Sequence, residues 1–93
     1  MKPYYECHVT FLVDSPEPPS NIPRGWKFTG RIAGDPDLGE GVRAYLTRHL
    51  PQSVGIPQAV NQLEMAASRL RFLGYKVLRL KVELVLHDSR PRG

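Results

Sequence analysis

Residues 4–13, YYECHVTFLV, divide alternately between two sides. Tyr5, Cys7, Val9, Phe11 and Val13 fall on one, and Tyr4, Glu6, His8, Thr10 and Leu12 on the other. A period of two, filled with aromatic and β-branched residues, predicts a strand with one buried face. The pattern returns at 26–33, WKFTGRIA, where Trp26, Phe28 and Ile32 oppose Lys27, Thr29 and Arg31. It returns again at 42–50, VRAYLTRHL. There Val42, Ala44, Leu46 and Leu50 point inward, and Arg43, Tyr45, Thr47 and His49 point outward. Arg48 breaks this pattern as a charge on the apolar side. The last stretch, KVLRLKVELVLH at 76–87, sets Leu78, Leu80, Val82, Leu84 and Leu86 against Val77, Arg79, Lys81, Glu83, Val85 and His87.

Between the third and fourth strands the period changes. In IPQAVNQLEMAASRLRFLGY, Ile56, Val60, Leu63, Ala67, Leu70 and Gly74 recur at four-and-three spacing and predict one amphipathic helix. Pro57 suits its first turn, and Gly74 suits a left-handed C-terminal cap. The connection DSPEPPSNIPRG carries four prolines, which exclude a helix or a central strand there. GDPDLGEG, 34–41, reads as a hairpin loop; its Asp35, Asp37 and Glu40 lack the ligand pattern of a calcium loop.

One helix covers one face of a four-stranded sheet, so the other face is left open. The expected fold is α+β: a four-stranded antiparallel sheet with one helix on one face. Its topology is a ferredoxin-like split βαβ whose first helix is replaced by the Pro-rich crossover. Right-handed crossovers then place the first strand between the third and the fourth. Residues 1–93 make one domain, with 88–93 as a flexible tail.

Composition adds limits. The chain is 41% apolar and 24% charged, with a net charge of +4, which favours anionic partners. No apolar run approaches the ~20 residues of a membrane helix. The start MKPYYECHV has no apolar signal core, and a single cysteine allows no internal disulfide. These features predict a cytoplasmic protein that does not enter a membrane. Cys7 faces the core and is expected to be inert.

The polar sides of the four strands must meet on the open face. This gathers Glu6, His8 and Thr10; Lys27, Thr29 and Arg31; Arg43, Tyr45, Thr47 and His49; and Arg79, Lys81, Glu83 and His87. His8-x-Thr10 and Thr47-x-His49 are mirror images, so one antiparallel register would set His8 against His49 and Thr10 against Thr47. Two imidazoles beside hydroxyls and cations suit a phosphate-bearing ligand, a nucleotide or a nucleic-acid end. His8 and His49 are the candidate catalytic acid and base. Arg79 and Lys81, with Arg43, would hold phosphate oxygens. Thr10 and Thr47 would orient them, Tyr45 would offer a ring, and Glu6 or Glu83 would fix a tautomer. Glu6 with the two histidines has no recognisable metal spacing, so neither metal nor cofactor is expected. The aromatic content of the face is thin for an RNA-recognition sheet. A different reading makes the chain a non-enzymatic interaction protein that modulates a larger complex. Its working surface would be the open sheet edge or the helix side at Met65 and Phe72, away from the Leu63/Leu70 stripe, which could also form a homodimer contact.

Two resemblances bear on this. His8-Val9-Thr10 is similar to the His-x-Thr motif of the two-histidine phosphoesterases, which cleave cyclic phosphates and RNA ends with two such motifs. Here Thr47-Arg48-His49 is reversed, His87-Asp88-Ser89 is a distant echo, and the two pseudo-repeated lobes of those enzymes are lacking. More broadly, YYECHVTF, GWKFTGRIAGDPDLGEGVRAYLTRH and GYKVLRLKVELVLHDSR resemble a family of small uncharacterised bacteriophage and bacterial proteins. That resemblance implies a ferredoxin-like fold and a phage or bacterial source, and it assigns no activity.

Overall fold

The computed structural model describes residues 2–14, 17–32 and 42–86. The loop at 34–41, His87 and the tail at 88–93 lie outside the described residues, and Arg31 and Ile32 are described by their backbone alone.

Four strands and one α-helix make an α+β fold. The strands are β1 (Tyr4–Val13), β2 (Lys27–Ile32), β3 (Val42–Pro51) and β4 (Val77–Val85), and α1 (Ile56–Phe72) joins β3 to β4. The sheet order is β2-β3-β1-β4 with every pairing antiparallel. β1 therefore sits between β3 and β4.

Tyr5, Cys7, Val9 and Phe11 of β1 are buried with Ala44, Leu46 and Leu50 of β3. α1 packs across β1 and β4. Trp26, with the partly buried Ile22 and Phe28, joins the same core. The C-terminal end of the helix closes as a Schellman turn. Tyr75 N–H donates to the Leu70 carbonyl, Gly74 N–H donates to that of Arg71, and Gly74 takes φ 94°.

Several details differ from the sequence reading. The buried stripe of α1 is Ala59, Leu63, Ala66, Ala67 and Leu70, while Ile56 and Val60 stay exposed. Three of the five buried positions are alanines, and Ile56 and Val60 fall outside that arc. In β4 a bulge shifts the register between Thr10 and Phe11, so Val77, not Leu78, pairs with Phe11 and packs on the core. Leu84 and Leu86, assigned inward, are exposed on this edge strand, as is Val42.

Candidate functional site

The open face follows from pairing. Across β1 and β3, Glu6 lies opposite His49, His8 opposite Thr47, and Thr10 opposite Tyr45. Across β1 and β4, Glu6 lies opposite Glu83, His8 opposite Lys81, and Thr10 opposite Arg79. Lys27 and Thr29 of β2 pair with Thr47 and Tyr45. All these residues share one side, because opposed residues in an antiparallel pair point the same way.

The register is not the mirror-image one. A shift of two residues keeps every side chain on its face but changes its partner: His8 meets Thr47, and Glu6 meets His49. The result is a chain of contacts. Glu6 Oε1 lies 2.6 Å from His8 Nε2, and His8 Nδ1 lies 3.1 Å from Thr47 Oγ1. An ionised carboxylate only accepts, so His8 carries its proton on Nε2 and donates it to Glu6. The other ring nitrogen, Nδ1, pairs with the Thr47 hydroxyl. Glu6 Oε2 also lies 3.4 Å from His49 Nε2. Both histidines thus turn one ring nitrogen toward the same carboxylate, which sits between them. The Glu6 and His8 side chains are sheltered, at 15% and 22% exposure, whereas that of His49 is 56% exposed and stacks at 4.7 Å on Tyr4.

On the β4 side of this chain lies a hollow of about 120 Å³, lined by His8, Thr10, Tyr45, Arg79, Lys81 and Glu83. Lys81 Nζ is 2.6 Å from Glu83 Oε1, and that bond holds the Glu83 carboxyl below the usual range. On the β2 side, Thr47, Lys27, His49, Gly25 and Arg48 line a second hollow of about 320 Å³. The His8–Thr47 contact joins residues of the two.

Among the expected residues Arg43 stands apart, 1% exposed, whereas the equally buried Thr10 still lines the smaller hollow. Arg43 pairs with Leu12 and Ile32 in the two ladders and forms no part of an exposed cationic patch. Sequence reading set Lys27 on the open face without a partner and did not single out Gly25; the pairing of β2 with β3 sets Lys27 opposite Thr47. Among the described residues no group of three His, Cys, Asp or Glu side chains is placed to hold a metal ion, and no helix is long and apolar enough to cross a membrane.

Cys7 is fully buried, and burial pushes its thiol above the ordinary value, against the pull of Arg48.

The chain matches no known family model, no curated protein and no solved structure. Its function must be argued from the geometry alone.

Proposed function

We propose that the protein binds a phosphate-bearing ligand, a nucleotide or a nucleic-acid end, on the open face of its sheet. One observation carries this: the hollow that brings Arg79, Lys81, His8, Thr10 and Tyr45 around a space of about 120 Å³. Guanidinium, ammonium and hydroxyl groups are the donors that phosphate oxygens need. The space is well below the roughly 300–1,000 Å³ of sites that enclose a whole small molecule. A single phosphate group fits it, with the remainder of the ligand lying over the sheet toward Tyr4 and Tyr45.

The Glu6–His8–Thr47 chain beside the hollow has the order carboxylate, imidazole, hydroxyl. That order, with an imidazole nitrogen within hydrogen-bond distance of a hydroxyl, supports a phosphoesterase reading of the same face. The strand order supports a ferredoxin-like classification, with the Pro-rich connection after β1 in place of a first helix. The resemblance to small phage and bacterial proteins accords with that classification.

The test is a thermal-shift screen of the intact protein against inorganic phosphate, mononucleotides and cyclic nucleotides. A saturable rise in Tm that is lost in Lys81→Ala supports the reading. No response to any of them discards it.

A second reading, an interaction protein, is favoured by the outer side of α1, where Met65 is 59% and Phe72 82% exposed. The occupant proposed is a second copy of the chain. Light scattering that gives a monomer at high concentration removes it.

A further inference from the structure

The other side of the sheet carries a charge that the open-face reading does not use. Arg48 lies opposite Cys7 on the face covered by the helix and is partly buried. Its Nη1 donates to Gln62 Oε1 of α1 at 3.0 Å and to the Arg24 carbonyl at 3.5 Å. The chain makes room for this guanidinium. Gly25 takes φ 91°, and a Cβ there would stand 3.0 Å from Arg48 Cζ. Among the described residues no carboxylate pairs with Arg48, Arg24 or Arg69.

These three arginines border one groove of about 290 Å³, together with Trp26, Gln62 and Met65. Gln62, Met65 and Arg69 recur at three-and-four spacing, so they share one face of α1. A partly desolvated cation without a counter-charge is unfavourable. Two more guanidinium groups at the rim raise the local potential further. The planar fork of arginine matches carboxylate and phosphate oxygens in pairs. The buried Trp26 and the thioether of Met65 add apolar and polarisable wall.

We propose that this groove binds a small organic anion. Its carboxylate or phosphate group meets Arg48 between Arg24 and Arg69, and its apolar body lies against Trp26 and Met65. The volume is at the lower limit of small-molecule sites, about 300 Å³, which sets the ligand at the size of a substituted benzoate. The groove shares no lining residue with the 120 Å³ hollow at Lys81, while Arg48 also borders the 320 Å³ hollow at the β2 side.

Trp26 is the sole tryptophan of the chain, so its emission reports this groove directly. The intact protein is titrated with benzoate and with phenyl phosphate, and with benzylamine as a cationic probe of similar size. The expected result is a saturable change in emission with at least one anion and none with benzylamine. Arg48→Lys keeps the charge but loses the fork, and weakens binding by about tenfold. Arg24→Gln and Arg69→Gln change exposed side chains without touching the core, and each weakens binding severalfold. Lys81→Ala, on the other face, leaves the Trp26 titration unchanged. The proposal is overturned if neither anion gives a saturable response. It is equally overturned if benzylamine matches the anions, or if all three arginine variants bind as the wild type does.

Discussion

Glu6→Gln is the most direct probe of the open face. The substitution keeps the size and shape of the side chain and removes its charge. Glu6 Oε1 accepts from His8 at 2.6 Å, and both side chains are at most 22% exposed, so solvent screens the contact only in part. A bond to a charged group contributes about 1.5–3 kcal/mol, and a neutral one about 0.5–1.5 kcal/mol. Glutamine can still accept from Nε2–H, so the expected cost is the difference, about 1 kcal/mol. The neighbouring His49, 3.4 Å away, loses the same partner and adds to it. For a domain of this size 1 kcal/mol lowers Tm by about 4–8 °C. Circular dichroism melts measure that shift, and nitrogen chemical shifts of the imidazole report the tautomer. The wild-type His8 ring should be protonated at Nε2, and the variant should show a mixture. Ordinary surface substitutions change stability by no more than about 0.5 kcal/mol. A loss within that band, with an unchanged His8 spectrum, would refute the claim that Glu6 organises the face.

Other expectations follow from single contacts. Glu83→Gln removes a carboxylate that competes with phosphate for Lys81, 2.6 Å away, so it should tighten phosphate binding in calorimetric titration while Lys81→Ala weakens it. The Glu83 carboxyl is held below its ordinary value by Lys81, so this pair stabilises the fold above pH 4.5 and stops doing so as the pH falls below that value; acid melts of Glu83→Gln should show the smaller dependence. Leu63→Ala and Leu70→Ala, at 2% and 1% exposure, should each cost about 2–5 kcal/mol in urea denaturation. Gly74→Ala meets no neighbouring atom within 4 Å, so its cost, about 1–2 kcal/mol, should come from the left-handed backbone at φ 94° alone. Cys7 should resist a thiol reagent until the protein unfolds. Because its thiol is raised above 9.0, the stability it contributes is present below that pH and lost as the pH rises beyond it.

By itself the sequence determined the elements and the core face of β1. Alternation from Tyr4 to Val13 separated Tyr5, Cys7, Val9 and Phe11 from Glu6, His8 and Thr10, and the burial of the first set agrees. Gly74 marked the helix end for the same local reason, a backbone conformation that glycine adopts freely. These features repeat within a few residues, so they can be read from neighbours along the chain. Partners could not be read in this way. His8 against Thr47 and Glu6 against His49 are pairings between segments about 40 residues apart, which the whole set of core contacts fixes together. A two-residue slip preserves the alternation and so leaves no trace in the sequence, yet it replaces a histidine pair by a carboxylate shared between two imidazoles. Burial of Arg43 and the turn of α1 onto its alanines are likewise decided only by what packs above and beside them. The bulge that brings in Val77 is of the same kind, because one extra residue in β4 has meaning only against β1.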